Sequence, residues 1–212
     1  MLIELALNQP EITLEDIQKA TFLAIERKVS VLSLPIIYLP VAQEYVKGTN
    51  VVLAASIDCP YGQNPTELRH AAIILAERRG AEIVELGINA GWVRDKRDTD
   101  LRTDIKTCLE VCKSKNISLR LVMEYRLFDD NEVIKYCEFF QELGVDAIVS
   151  SFGLLPDDPS DNLLLAKKLG KNNKYLPASN LWQPKHIEMA QVAKTKSIRF
   201  LSLPLFERCI IK

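Results

Sequence analysis

The feature that most constrains the fold of this chain is a regular alternation of short apolar runs with amphipathic stretches. Eight runs rich in Val, Ile and Leu lie at 2–7, 29–34, 50–57, 82–89, 117–124, 145–151, 174–179 and 197–203. Runs of this kind are typical of strands buried on both faces of a parallel sheet. Helical patterns are predicted between them at 14–28, 66–79, 99–115, 130–143, 160–169 and 184–194. The alternation therefore predicts an α/β fold built from repeated β/α units.

Eight such units predict a (β/α)8 TIM barrel, although 212 residues is short for that fold. Only residues 204–212 follow the last apolar run, so the final helix is expected to be short or missing. No linker or low-complexity stretch divides the series, which predicts a single domain over residues 1–212. The main alternative is an open doubly wound sheet, but that fold uses a glycine-rich turn after an early strand, and here Leu34-Pro35 ends the second run.

Charge and cysteine usage narrow the expected partners. A formal net charge of −1 gives no electrostatic reason to expect nucleic acid or an anionic membrane as partner. No stretch approaches the ~20 apolar residues of a membrane span. The five cysteines are an odd number without paired spacing, which predicts a reduced, cytoplasmic protein. Cys108 and Cys112 lie one helical turn apart, but this spacing is more typical of packing than of a metal site, and neither metal nor cofactor is predicted.

Charged residues stand on three consecutive predicted strands, toward the ends where the chemistry of a parallel barrel is expected. Asp58 ends the third strand, Glu85 lies within the fourth, and Glu124 ends the fifth behind Arg120. Because side chains alternate along a strand, Glu85, Arg120 and Glu124 can all point inward and meet. Two interpretations stay open for these residues. They form either a buried ion triad that fixes packing or a general acid or base tuned by burial.

Aromatic and small polar residues follow several predicted strands and are candidate substrate contacts. The set comprises Asn89, Trp92, Tyr125, Ser151, Phe152, Ser179, Asn180 and Trp182. One interpretation is a barrel mouth that grips an apolar or planar ligand with a few polar groups. The other is that the aromatic rings cap the core and the hydroxyls satisfy stray backbone groups. His70 and His186 fall on predicted helices and are expected at the surface.

Several motifs occur in an order that indicates a known family. They are Ser-Ile-Asp-Cys-Pro-Tyr-Gly at 56–62, the strand of Glu85 at 80–89, the strand of Glu124 at 119–124, and Gly-Val-Asp at 144–146. This order resembles deoxyribose-phosphate aldolase over roughly residues 12–203, most specifically over 50–153. The resemblance implies a TIM barrel and puts Glu85 at the position of a catalytic aspartate. It also puts Arg120 at the position of a lysine and matches Glu124 to a glutamate of the family.

The chain departs from that family at the residues that carry its chemistry. Val149 stands where the resemblance implies the Schiff-base lysine, and Pro177 stands at the second active-site lysine. The glycine-rich phosphate loops are replaced by the segments 152–158, 180–184 and 202–204. A Schiff base requires an activated amine, and a phosphate site requires backbone N–H groups presented by glycine-rich turns. The sequence therefore disfavours both Schiff-base chemistry and a phosphate site.

Three hypotheses of function remain open. The first is a lyase, isomerase or cyclase acting on a small unphosphorylated substrate, with Glu85 or Asp58 moving a proton and Arg120 holding charge. The second is a non-catalytic barrel that binds a small molecule or a protein, with Trp92 and Trp182 as contacts. The third is a true deoxyribose-phosphate aldolase. The resemblance also implies that two copies can pair as a homodimer.

Overall fold

The computed structural model describes residues 1–170 and 174–210, and its centre is a sheet of parallel strands. The strands are β1 (Leu2–Ala6), β2 (Val31–Pro35), β3 (Val52–Ile57), β4 (Ile83–Gly87), β5 (Ser118–Val122), β6 (Ala147–Val149), β7 (Tyr175–Leu176), β8 (Ala178–Ser179) and β9 (Ser197–Phe200). Their order across the sheet is β7-β6-β5-β4-β3-β2-β1-β9-β8. Since β7 and β8 follow one another in the chain, the two ends of this order meet. The predicted TIM-like barrel is confirmed.

The seventh predicted run differs from expectation because it forms two short strands. Pro177 separates β7 from β8, and proline has no N–H to donate to a ladder. β7 pairs with β6, whereas β8 pairs with β9. The Pro177 carbonyl still accepts a hydrogen bond of 2.9 Å from the backbone N–H of Arg199. The barrel therefore closes across the interruption.

Helices cover the outside of the barrel and agree with the predicted pattern except in two places. They are α1 (Leu14–Glu26), α2 (Leu39–Val46), α3 (Thr66–Arg78), α4 (Ala90–Arg94), α5 (Asp98–Ser114), α6 (Asp130–Leu143), α7 (Pro159–Leu169), α8 (Pro184–Val192) and α9 (Leu203–Ile210). The short final helix is confirmed as α9, and residues 211 and 212 lie outside the described ranges. α2 and α4 were not predicted. Pro40 obscured α2, although the first turn of a helix tolerates proline.

Local sequence explains where several helices begin and end. Thr13 caps α1 and exchanges hydrogen bonds with Asp16, and Asp129 caps α6 in the same way with Glu132. Gly144 ends α6 with a φ of 94°, a conformation that glycine adopts without strain. None of the helices in the two described ranges combines the length and apolar character needed to cross a membrane. These helices surround the barrel and carry their apolar faces toward it.

Alternation along the strands divides the core into an outer and an inner part. Side chains such as Leu5, Leu119 and Phe200 point outward and pack against the helices. Side chains between them point inward, among them Arg120 near the middle of β5 and Val122 near its carboxyl end. The inner part is therefore layered along the barrel axis, as in other parallel barrels.

Candidate active site

Four charged side chains from four strands meet in the middle of the barrel, and we call them the central ion network. They are Glu4 of β1, Glu85 of β4, Arg120 of β5 and Arg199 of β9. Arg199 donates from Nη1 to Glu85 Oε2 at 2.7 Å and from Nη2 to Glu4 Oε2 at 2.5 Å. Arg120 Nη1 lies 2.9 Å from Glu4 Oε2 and 3.7 Å from Glu85 Oε1. Two carboxylates and two guanidinium groups thus balance one another.

The electrostatics of this network hold Glu85 in its ionised form. Burial raises the pKa of Glu85, but Arg199 and then Arg120 outweigh that effect, and the net pKa lies below its ordinary value. Ser33 adds a hydrogen bond of 2.6 Å to Glu85 Oε2. Glu85 is fully buried. A carboxylate held this way is a weak proton acceptor, so the geometry favours the ion-network interpretation over the acid–base one.

Half of this network was not predicted from the sequence. Glu4 and Arg199 are 195 residues apart in the chain, and neither lies at the carboxyl end of its strand. The available signal was a single charge inside an apolar run, as in Ser-Ile-Arg-Phe at 197–200. A charge in such a run requires a buried partner.

An apolar layer separates the central ion network from the carboxyl end of the barrel. It consists of Ala6, Val122, Val149, Leu176, Ala178 and Leu201, all buried. Cys59 and Phe152 pack against it. Val149 is fully buried, at the position where the resemblance implies a lysine. The interior here is packed with hydrocarbon groups and presents no amine.

Glu124 lies beyond this layer and does not join the central ion network. Its backbone adopts a left-handed conformation with φ 49°, which interrupts the alternation of β5 and explains why the predicted triad does not form. Its carboxylate accepts hydrogen bonds from the Ser151 hydroxyl at 3.1 Å and from the backbone N–H of Phe152. Burial raises the pKa of Glu124 above its ordinary value despite these bonds. Non-glycine residues in this conformation are uncommon and often functional.

A second carboxyl, Asp157, is also buried and was not predicted as a site residue. Its carboxylate accepts hydrogen bonds from Ser179 Oγ at 2.7 Å, from Asn162 Nδ2 at 3.4 Å and from the Tyr125 hydroxyl at 3.5 Å. Burial raises the pKa of Asp157, and the charge of Asp157 in turn raises the pKa of Glu124. We call Glu124 and Asp157 the mouth carboxyls. The only sequence signal for Asp157 was its place in the segment that replaces a phosphate loop.

The Asp58 side chain is only 6% exposed, but it contacts a different part of the molecule. Its carboxylate lies 3.0 Å from Arg69 Nε and accepts hydrogen bonds from the backbone N–H groups of Gln63 and Asn64. Arg69 also pairs with Asp104 of α5. These contacts fix the loop between β3 and α3. Because these contacts hold the Asp58 carboxylate at the loop, its position does not support a role in proton transfer inside the barrel.

Trp182 lies away from the barrel mouth, which corrects its expected place there. It is fully buried, and its indole N–H donates a hydrogen bond of 2.7 Å to the Arg199 carbonyl. It packs near Phe200 and His186, in the layer between strands and helices. The prediction assumed that a residue just past a strand lies at the barrel mouth. The residues after β8 instead turn outward and carry the Trp182 ring into the layer between strands and helices. His186 is likewise buried rather than exposed.

The remaining candidates have mostly local contacts. Asn89 caps α4, with its Oδ1 accepting from the Trp92 N–H at 3.0 Å. Trp92 is half-buried, with the Arg97 guanidinium 5.2 Å from its ring centre. Phe152 packs on the apolar layer, and Asn180 is half-buried after β8.

The described residues offer few groups for covalent or metal chemistry. Every lysine within 1–170 and 174–210 is exposed to solvent. Within the same ranges no three His, Cys, Asp or Glu side chains come together to hold a metal ion. Burial raises the pKa of Cys59, and Glu85 raises it further, which favours the thiol over the thiolate. The mouth carboxyls are thus the groups best placed for acid–base chemistry.

The chain is similar in sequence and in fold to deoxyribose-phosphate aldolases. No family model matches the chain. The chain is 29% identical over 147 residues to a deoxyribose-phosphate aldolase of Mannheimia succiniciproducens, spanning 69% of this chain and 65% of that protein. It is 28% identical over 151 residues to that of Clostridium novyi, spanning 71% and 68%. The fold matches the tetrameric deoxyribose phosphate aldolase of Aeropyrum pernix with a TM-score of 0.80, 19% identity, and 94% and 85% coverage.

Proposed function

We propose that this chain, which is similar to deoxyribose-phosphate aldolases, is a lyase-like enzyme. In this proposal the enzyme works without a Schiff base, and its acid–base residue is Glu124. The observation that carries the proposal is the state of this carboxyl. Glu124 lies at the carboxyl end of β5, is buried, has a raised pKa, and forms no ion pair with any described residue. A general acid or base works best when its pKa lies near the working pH.

The contacts of Glu124 suit proton transfer. The Ser151 hydroxyl and the Phe152 N–H fix the orientation of its carboxylate. The charge of Asp157 adds to the effect of burial in raising the pKa of Glu124. Glu85 and Arg120, by contrast, neutralise one another and support the barrel, and Asp58 supports the β3–α3 loop. In this proposal Ser151, Phe152 and Asn180 contact the substrate.

The proposed substrate is small, carries a carbonyl group, and lacks a phosphate. The apolar layer of valine, leucine and alanine side chains gives a floor without cations. Exposure of every described lysine argues against a Schiff base. An apolar floor with a few polar groups is typical of sites for small neutral ligands.

Hydrogen exchange next to a carbonyl group tests this proposal, because it requires only the proton-transfer step of the reaction. The protein is incubated in D2O with small carbonyl compounds, including acetaldehyde and glyceraldehyde, and NMR follows the hydrogens next to each carbonyl. We expect Glu124→Gln to slow exchange by about 100-fold or more, whereas Glu142→Gln, an exposed control, keeps the wild-type rate. Full exchange in Glu124→Gln, or a borohydride-trapped lysine adduct seen by intact mass, would contradict the proposal.

A non-catalytic barrel is the second candidate function. The observation that favours it is the closure of the interior, because the apolar layer is buried throughout and Glu124 is only 2% exposed. This candidate predicts ligand binding without exchange in any of the carbonyl compounds. The exchange experiment therefore separates the two candidates.

We propose further that the chain is one domain that associates with itself in the cytoplasm. The five cysteines are all free, which suits a reducing compartment. The Aeropyrum pernix aldolase with the same fold is a tetramer. Light scattering of the purified protein would give the number of copies directly.

A further inference from the structure

Two side-chain amides at the carboxyl end of the barrel have buried oxygens without a hydrogen-bond partner in residues 1–170 and 174–210. These atoms are Asn8 Oδ1 and Asn180 Oδ1. Asn8 lies just beyond β1, and Asn180 directly follows β8. β9 lies between these strands, since Leu5 of β1 and Ser179 of β8 both align with Phe200. The two amides therefore flank the end of β9.

Leu201 directly follows β9 and belongs to the apolar layer. The side-chain amide of Gln9, next to Asn8, donates to the Leu201 carbonyl. Gly153 is the neighbour on the other side. A Cβ atom there would lie 3.4 Å from Leu201 Cδ1 and 3.7 Å from Asn180 Nδ2. The side-chain amides of Gln9 and Asn180 thus lie near Leu201 of the apolar layer, and Asn8 precedes Gln9 in the chain.

A buried amide elsewhere in the chain shows the arrangement that a structural role produces. Asn162 is fully buried, and its Oδ1 accepts from the Tyr175 hydroxyl at 3.0 Å. Its Nδ2 donates at 3.0 Å to both Ser150 Oγ and the Ala178 carbonyl. Most buried polar groups in proteins are bonded in this way, and one left unpaired costs stability. Asn8 and Asn180 depart from this rule beyond the carboxyl ends of the two strands that flank β9.

We propose that Asn8 and Asn180 form a binding site for the polyol part of a small neutral hydroxy-carbonyl substrate, whose hydroxyl groups donate to the two amide oxygens beside the apolar layer. The site deepens the proposed function and rests on it, because it assigns a substrate class to the same barrel mouth. The mouth carboxyls form no ion pair with the described residues. An anionic ligand is therefore disfavoured there, because no paired cation offsets the negative charge that these carboxyls carry when ionised. Hydroxyl groups supply donors without adding charge.

The experiment replaces each amide with a hydrocarbon side chain of similar size. We expect Asn8→Leu and Asn180→Leu each to raise the melting temperature of the free protein by about 2–4 °C, because each removes an unpaired buried oxygen. Asn162→Leu, the matched control with satisfied hydrogen bonds, is expected to lower it. If a leucine variant fails to fold, the corresponding alanine variant replaces it. Lower melting temperatures for both variants at the mouth would overturn the proposal.

Ligand binding is measured separately by saturation-transfer NMR with glycerol, erythritol and 2-deoxyribose, using 1-butanol and glycerol 1-phosphate as comparators. We expect at least one polyol to bind the wild type, and its affinity to fall at least 10-fold in Asn8→Leu and in Asn180→Leu. No polyol binding, unchanged binding in these variants, or preference for the butanol or the phosphate would overturn the inference.

The two proposals fail in different ways. Glu124→Gln is expected to keep polyol binding, since its carboxylate is not part of the amide site. Loss of binding in the leucine variants together with normal exchange in Glu124→Gln would reject Glu124 and keep the polyol site. Loss of exchange in Glu124→Gln with unchanged polyol binding in the leucine variants would keep Glu124 as the acid–base residue and reject the polyol site.

Discussion

The central ion network and the mouth carboxyls are both buried, but only the first contains cations. Arg199 and Arg120 hold the pKa of Glu85 below its ordinary value, whereas burial raises the pKa of Glu124 and of Asp157. The same type of side chain thus binds a proton more weakly than usual in one place and more tightly than usual in the other. The difference shows that burial alone does not decide the role of a carboxyl in this barrel, because the neighbouring charges decide it.

Position along the barrel axis reinforces this difference. The apolar layer separates the two regions, so the central ion network is closed off from the end where barrel enzymes bind substrates. The mouth carboxyls lie on the other side, among hydroxyls and backbone N–H groups. The central network is a structural part of the barrel, and the proposed chemistry belongs to the mouth.

The largest expected effect comes from the same substitution made in both regions. Glu85→Gln leaves a single carboxylate, Glu4, to balance two buried guanidinium groups. We expect it to lower the free energy of unfolding by about 3–5 kcal/mol in urea denaturation. Glu124→Gln removes a carboxyl without an ion pair and is expected to leave stability near that of the wild type at pH 7.5. If both variants lost the same free energy of unfolding, the central ion network and the mouth carboxyls would not differ in their contribution to stability.

A double substitution sharpens the account of the central ion network. In the Glu85→Gln background, Arg120→Met removes the excess positive charge and leaves Glu4 paired with Arg199. We expect the double variant to be more stable than the sum of the single losses, with a coupling energy of about 0.5–3 kcal/mol from urea denaturation. Additive losses would indicate that packing at these positions, and not charge balance, holds the network together.

The smallest expected effect is on the pH dependence of stability. A raised pKa means that the folded protein binds a proton more tightly than the unfolded chain, so the stability owed to Glu124 is present at low pH and is lost as the pH rises through the folded pKa. From neutral pH down toward 4.5, stability is therefore expected to rise more steeply in the wild type than in Glu124→Gln. Melting temperatures across this range provide the measurement. Parallel curves would contradict the raised pKa.

Below that range the central ion network dominates. The lowered pKa of Glu85 contributes stability that is present above its ordinary value of 4.5 and is lost as the pH falls through the folded pKa. Acid unfolding of the wild type is thus expected to follow protonation of Glu85. Glu142→Gln, at an exposed position, serves as the control for both pH ranges.

The sequence was sufficient to predict the barrel because the apolar runs and their spacing depend on local patterns. Alternation along β4 and β5 also predicted that Glu85 and Arg120 would meet, and the 3.7 Å contact confirms it. The contacts of Arg199 could not be predicted in the same way, since they join strands at opposite ends of the chain. Chain closure, which brings β9 beside β1, is a property of the whole fold.

Residues just past the strands were harder to place. Alternation ends where the strand ends, and the left-handed backbone of Glu124 sends its side chain out of the expected register. Trp182 turns into the helix layer for a similar reason, because the loop after β8 directs it there. Asp157 gave almost no signal, since its partners Ser179 and Asn162 become neighbours only in the folded chain.

The most direct test of the central claim is a titration of individual glutamate side chains by 13C NMR, with Glu85→Gln and Glu124→Gln used to assign the two signals. We predict that the Glu124 carboxyl titrates above the ordinary value of 4.5 and that Glu85 remains ionised below it. If Glu124 titrates at or below 4.5, or if Glu85 takes up a proton above it, the distinction between a structural centre and a reactive mouth is wrong.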